Sequence, residues 1–474
     1  MTSTSPYVIL HLGLGSFHRA HQAVYQQALH DQGDSRWVLA GGNIRPDMAE
    51  TLAALQASCG AYTLETVSPA GQRRYQRISA IRQVIPYDAE LAGLVACGAQ
   101  PQTRIISFTV TEAGYYLNAE HRLDLNFADL AADVEALKAG RAGQTIYGAL
   151  VMILRARMQQ GSGPVTLLNC DNLRHNGDRV RAGLLQFITL LGDTALLGWV
   201  EQHTSCPNAM VDRITPRPTP AVRERVLAAT GVNDPAALMG EDFIQWVIED
   251  RFVAGRPAWE NVGVQMVADV QPYEEAKIRL LNAPHSCIAW AGTLVSTTYI
   301  HEGTQDPLIR RMAYDYVTDD VMPVLNTPEH PCPIDLAAYR DVVLDRFSNP
   351  AIADTNQRVA MDGFSKIPGF IAPTIRERLA RGASIASVAM LPALFLAYLQ
   401  RWHAGQIPYT YQDQAMDPTV AHAICEAADP VAALAAEATL WGPEANDPRL
   451  VAALRQAQAR VTHFVQHHPL KVSA

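Results

Sequence analysis

Short apolar runs and amphipathic stretches alternate through the first part of the chain. The run YVILHLG, residues 7–13, is apolar almost throughout and closes on a glycine, the pattern of a strand buried on both faces. HRAHQAVYQQALHDQG, 18–33, has a helical period and a glycine stop. RWVLAGGNI (36–44) reads as a second strand and PDMAETLAALQAS (46–58) as a second helix. Further strands are predicted at AYTLETVS (61–68), RIISFTVTE (104–112) and PVTLLNC (164–170), with the helix TIYGALVMILRARMQQG (145–161) between the last two. Strands alternating with helices predict a parallel sheet with crossover helices, an α/β domain of the doubly wound, Rossmann type. Beyond about residue 270 the period changes to that of long helices: YEEAKIRLL, LIRRMAYDYVTDDVMPVL, APTIRERLARG, the 384–402 run and DPRLVAALRQAQARVTHFVQ. The boundary is therefore expected near 272, between an α/β domain (1–272) and a mostly helical domain (273–474), with the Pro-rich 326–335 as a surface loop.

Composition narrows the partners. The chain has 474 residues, 38 basic and 47 acidic, for a formal charge of −9, which argues against nucleic acid as the main partner. Seven scattered cysteines without a C-x-x-C spacing favour reduced thiols in a cytoplasm over a disulfide framework or a cysteine-type zinc site. The N-terminal MTSTSPYVILHLG lacks the basic n-region of a signal peptide. The apolar run 384–399 is shorter than a membrane span and holds Pro392, so a buried core helix is expected, and no membrane partner.

Candidate chemistry starts at HLGLGSFHRAH, 11–21, which follows the first strand and opens a helix. Gly13 suits the tight turn and Gly15 lets the backbone approach a pyrophosphate, although His18 stands where a third glycine would complete the dinucleotide fingerprint. Two ordinary glycines in a strand-to-helix turn would look the same. His18 and His21 lack a third ligand for a metal, so helix-cap or phosphate contacts are expected of them. At the tip of strand two Asp47 is available for ribose hydroxyls and Arg45 for a 2′-phosphate; the lean is toward NAD over NADP. LLNCDNLRHNGDRV, 167–180, sets Asn169, Asp171, Asn172 and Asn176 just after a strand, either as donors to a ligand or as turn and capping residues. Asp212 beside Arg213 reads equally as a buried ion pair or a substrate contact. Arg358, Asp362 and Lys366 share a glycine-rich stretch that is either a solvated loop or a binding loop.

The segment KIRLLNAPHS, 277–286, carries a lysine, an amide and an imidazole into an apolar run. On an α-helix at about 100° per residue, Glu274, Asn282 and His285 all fall within roughly a 140° arc of Lys277. Pro284 cannot donate to the carbonyl of Leu280, which predicts a local distortion. The stripe reads either as an exposed helix face or as a base with an oxyanion donor.

Taken in order, GLGSFHRAHQAVY, VTEAGYYLN, NCDNLRHNG, MVDRITPRP, YEEAKIRLLNAPHS and DGFSKIPGF resemble the polyol-specific long-chain dehydrogenases, over nearly the whole chain. The resemblance implies NAD-dependent, metal-independent oxidation of a secondary alcohol of an open-chain polyol, with D-arabinitol the expected substrate, D-xylulose the product, and the site between the two domains. It implies Lys277 as general base, Asn282 and Asn172 as oxyanion donors, His285 as the orienting group and Glu274 in a proton path. Asp212, Arg358 and Lys366 are implied as substrate contacts. Cofactor contacts are expected at Gly13, Gly15, Phe17, His18, Asp47 and Thr111. The same resemblance leaves room for mannitol oxidation or sugar-acid reduction, and it is to a family that includes monomers. A zinc alcohol dehydrogenase is a rival within enzymes, and a non-catalytic NAD-binding sensor is the rival from a different class.

Overall fold

The computed structural model describes residues 5–110, 112–118 and 122–468. The chain separates into two compact units. One holds Arg73–Gln271 with the chain up to Val67; the other holds Ser68–Gln72 with the chain from Pro272 on.

The first unit is built on six parallel strands: β1 (Tyr7–Leu12), β2 (Trp37–Gly42), β3 (Ile81–Val84), β4 (Thr103–Phe108), β5 (Val165–Asn169) and β6 (Thr204–Ser205). They lie in the order β3-β2-β1-β4-β5-β6, the doubly wound order that reverses direction between β1 and β4. Alternate residues feed two cores. Leu10, Leu12, Ile106, Phe108 and Leu167 pack on one face, with the helices Ile146–Gln160 and Asn176–Leu191. Ile9, Leu39, Ile105 and Leu168 pack on the other. Burial on both faces explains why these strands read as unbroken apolar runs.

Two expectations need correction here. The strand Tyr62–Val67 exists, but it belongs to a separate three-stranded sheet between Leu238–Glu241 and Arg73–Ile78. The place beside β2 is taken by β3, whose IRQV is four residues long with a polar middle and gave no strand pattern. The helix expected over 18–33 is two helices, α1 (Ser16–Ala20) and α2 (Gln22–Asp31), because His21 leaves helical geometry at φ −126°, ψ −85°.

The second unit is helical; among its described residues no strand longer than an isolated bridge occurs. At its centre lies the helix Ala283–Leu294, in which every residue except His285 is buried. A helix apolar all round must be sheathed, and Met390–His403 packs along it. Three helices of this unit contain a π turn: Ile278–Asn282, Tyr316–Val321 and Ile367–Ile371. Each is followed at the second residue by a proline: Pro284, Pro323 and Pro373. A proline in an α-helix clashes with the carbonyl four residues back. Here those carbonyls, of Leu280, Asp319 and Gly369, sit inside the widened turns, which relieves the clash. Among the described residues no helix is long and apolar enough to cross a membrane.

Candidate active site

In the first unit, the loops that carry the expected cofactor contacts leave one edge of the sheet. Leu12 is in register with Gly42 and Phe108, and Phe108 with Asn169, so the chain exits β1, β2, β4 and β5 side by side at their carboxyl ends. That edge, at the strand-order reversal, is where doubly wound sheets take ligands. Gly13 turns with φ +103°, a conformation that a side chain would strain. A Cβ on Gly15 would meet nothing within 4 Å, so this backbone is open to close approach. Asn43 braces the turn: its Oδ1 accepts from the Leu14 N–H (2.9 Å) and its Nδ2 donates to the Asp47 carbonyl (3.1 Å). Asp47 and Arg45 are both exposed, and Arg45 donates to the Tyr116 hydroxyl at 2.9 Å.

His18 turns inward. Its ring stacks on that of His11 at 3.5 Å, and both are buried. Burial lowers the pKa of each, that of His18 to about 3, so the stack is uncharged. Phe17 is half-buried and stacks on His21, 5.0 Å between ring centres. Thr111 lies outside the described residues.

The asparagine-rich stretch after β5 divides into two roles. Asn169, Asp171 and Asn176 are buried scaffold. Asp171 accepts from the Val110 N–H (2.9 and 3.1 Å) and the Tyr115 hydroxyl. Asn169 donates to Tyr115 (2.6 Å), and Asn176 donates to the Asp171 and Ala209 carbonyls (2.9 and 2.7 Å). Turn chemistry accounts for these three, while Asn172 alone of the four is exposed, beyond the strand end. Asp212 is buried at the end of Ala209–Asp212. Its neighbour Arg213 donates to the carbonyls of Glu241 (2.8 Å) and Ala20 (2.6 Å); burial lowers its pKa to about 10.

In the second unit Glu274 and Lys277 are buried on Gln271–Lys277. The α-helical spacing expected from here to His285 is not what the structure has. The Ala283 N–H bonds the carbonyl of Ile278, five residues back, and the π turn ends on half-buried Asn282. An α turn would set residues five apart about 140° from each other; an i→i+5 turn narrows that to roughly 50°. The distortion expected at Pro284 therefore lies just before it, between Lys277 and Pro284. Arg279 belongs to a different face, with ion pairs to Glu275 (2.9 Å) and Glu377 (2.7 Å).

His285 and Arg358 are brought together by a residue that the sequence reading missed, and Lys366 is near enough for its charge to act on His285. Asp354 accepts from Arg358 through both oxygens, at 2.6 Å from Nε, and lies 3.4 Å from His285 Nε2. Burial alone would raise the Asp354 pKa, but the contacts from His285 and Arg358 outweigh it and hold the carboxyl well below its usual range. His285 also stacks on Phe347, 4.2 Å between ring centres. Its pKa is lowered by burial first, then by the charges of Arg358 and Lys366, against the pull of Asp354. Lys366 donates to the Val359 carbonyl (2.6 Å), and burial lowers its pKa to about 8. One sign of Asp354 was available: an acid four residues ahead of Arg358, the spacing of a helical ion pair. Among the described residues no group of three or more His, Cys, Asp or Glu is arranged to hold a metal ion.

The model of the mannitol dehydrogenase Rossmann domain matches residues 7–261, and that of the mannitol dehydrogenase C-terminal domain matches 269–462. The chain belongs to the mannitol dehydrogenase family. Among its relatives in this family is D-arabinitol 4-dehydrogenase of Ralstonia nicotianae, 59% identical over 96% of both chains. The D-arabinitol 4-dehydrogenase of Klebsiella pneumoniae is 52% identical over 95% of this chain and 97% of its own. A solved structure, Pseudomonas fluorescens mannitol 2-dehydrogenase in ternary complex with NAD and D-mannitol, aligns with a TM-score of 0.81 at 34% identity, covering 98% of this chain and 94% of that one.

Proposed function

We propose that this member of the family oxidises D-arabinitol to D-xylulose with NAD⁺. The observation that carries the dinucleotide part is the six-stranded order with Gly13, Gly15 and the Asp47 loop at the carboxyl edge beside the strand reversal. These residues fit the group: the open backbone at Gly15 suits a pyrophosphate, the first-turn N–H groups of α1 lack helical acceptors, and Asp47 is exposed and in this reading takes the ribose hydroxyls. When bound, NAD⁺ supplies the hydride acceptor. The identity of 59% to a D-arabinitol 4-dehydrogenase over nearly the whole chain supports the choice of polyol.

In this reading Lys277 is the general base and takes the proton of the C4 hydroxyl. The amides of Asn282 and Asn172 donate to the alkoxide oxygen as charge develops there. Arg358, Lys366 and Asp212 bind the other hydroxyls, His285 orients one of them, and Glu274 passes the proton onward. The product is the ketone, with one hydride given to the cofactor and one proton released. No metal is required for these steps, so turnover is expected to survive exhaustive chelation.

The test is a panel of D-arabinitol, D-mannitol and fructuronate with NAD and NADP, followed by absorbance. The highest kcat/KM is expected for D-arabinitol with NAD. Preference for mannitol would move the chain to the mannitol branch, and no turnover with any polyol or sugar acid would leave a nucleotide sensor. Lys277→Ala is expected to lose several orders of magnitude in kcat with NADH affinity unchanged; near-normal turnover refutes the base.

A further inference from the structure

We propose that Asp354 is a positioning residue that fixes the tautomer of His285 and the orientation of Arg358, an inference that rests on the polyol reading of this site. A neutral imidazole has one nitrogen that donates and one that accepts. Burial lowers the His285 pKa, so the ring is neutral near pH 7. The group facing its Nε2 is the Asp354 carboxylate, 3.4 Å away, which can only accept. The proton therefore sits on Nε2 and the lone pair on Nδ1, and His285 meets a polyol hydroxyl as an acceptor. The contact is longer than a good hydrogen bond and leaves Nε2 without a well-aligned partner, as in sites that tighten only when substrate arrives.

The same carboxylate takes the Nε and a terminal nitrogen of Arg358, which fixes the plane of a guanidinium whose side chain is otherwise 65% exposed. Asp354 itself is 10% exposed and is anchored on both sides. Its carbonyl accepts from the Ile300 N–H at 2.9 Å. Thr355 next to it caps the helix Asn356–Ala360 and bridges to Tyr299. Ala353 just before it is held at φ +52°, a left-handed conformation that costs a non-glycine residue energy and that clusters at functional sites. Phe347 stacks on the His285 ring and leaves it little freedom to turn away.

The decisive experiment is nitrogen NMR of ¹⁵N-histidine-labelled protein without substrate, with the His285 signals assigned through His285→Gln. The wild-type chain is expected to show His285 protonated on Nε2. In Asp354→Asn the amide can donate to Nε2, and the proton is expected to move to Nδ1. The kcat/KM for D-arabinitol should then fall about 10–100-fold, the worth of a charge-assisted hydrogen bond, with NADH affinity unchanged. Arg358→Ala keeps the carboxylate, so it should keep the Nε2–H tautomer while KM rises. A wild-type His285 protonated on Nδ1 overturns the proposal, whether or not any variant folds. So does an Asp354→Asn chain with wild-type tautomer and kcat/KM. If the wild-type chain oxidises no polyol, the functional reading fails separately, and the NMR result still decides what Asp354 does to His285.

Discussion

Pro284→Ala tests whether the wide turn between Lys277 and Asn282 is part of the catalytic apparatus. The substitution returns an N–H that can bond the Leu280 carbonyl and removes the ring that would clash with it in an α turn. If the turn relaxes to α geometry, Asn282 swings by roughly 90° relative to Lys277, from about 50° in the wide turn to about 140°. On a side-chain envelope of about 5 Å radius this is a displacement of roughly 7 Å. That takes the amide out of reach of an oxygen held at the lysine. Losing one oxyanion donor costs about 10²–10³ in kcat, which is the expected drop. Stability should move the other way, because a proline inside a helix costs up to about 3 kcal/mol that alanine does not. The variant is thus expected to melt no lower than wild type while turning over D-arabinitol 100–1,000-fold more slowly, with NADH binding by fluorescence unaltered. A crystal structure completes the assay. Full kcat in a variant whose turn has become α-helical refutes the alignment argument. An unchanged π turn with unchanged stability refutes the role given to the proline.

Two further outcomes follow from the buried polar groups. Lys366 has its pKa lowered to about 8 by burial, against the usual 10.5 of a lysine in water, so the folded state disfavours its proton. Below pH 8 this penalty is present in full, and it fades as pH rises from 8 through 10.5, because over that window the unfolded chain binds more protons than the native one. Lys366→Met is therefore expected to raise Tm at pH 7, with the gap over wild type closing toward pH 10, and to raise the KM for the polyol; a gap that widens with pH contradicts the argument. Asp171→Ala removes the acceptor of the half-buried Val110 N–H and of the buried Tyr115 hydroxyl. At about 1–3 kcal/mol for each buried donor left unpaired, urea titration should read a loss of about 2–5 kcal/mol, and a loss below 1 kcal/mol would show that the network is dispensable.

How far the sequence revealed this molecule depended on whether a feature was periodic. β1, β2, β4 and β5 are buried on both faces, so their apolar runs stood out, and the helices Ile146–Gln160 and Pro448–His467 matched a 3.6-residue period. β3 is a strand because β2 leaves an open edge beside it, which no local pattern of IRQV encodes. The strand Tyr62–Val67 carries a strand pattern, but its sheet is chosen by partners that lie as far away as Leu238–Glu241. The same contrast holds at the candidate site. Lys277, Asn282 and His285 are neighbours in the chain and were visible as a group. Asp354 reaches His285 across 69 positions of sequence, and only a fold can make that pair.

The π turns show the limit of periodic reading in physical terms. Pro284 was legible, and like Pro323 and Pro373 it lacks the N–H that an α-helix would give to the carbonyl four residues back. A helix has two ways to respond. It can kink away from the proline, which breaks the packing on either side, or it can absorb one extra residue in a widened turn and continue. Ala283–Leu294 is sheathed by its unit on all sides, so a kink there would open the core, whereas a wide turn keeps the axis. The segment Ile278–Asn282 also packs against both of the other π turns, so the three widened carbonyl rings support one another. Burial therefore selects the bulge, and the bulge resets the angular relation between Lys277 and everything after Asn282. A motif read at 100° per residue grouped Lys277, Asn282 and His285 with relative directions that the π turn changes, because the helix that carries them is too deeply packed to bend.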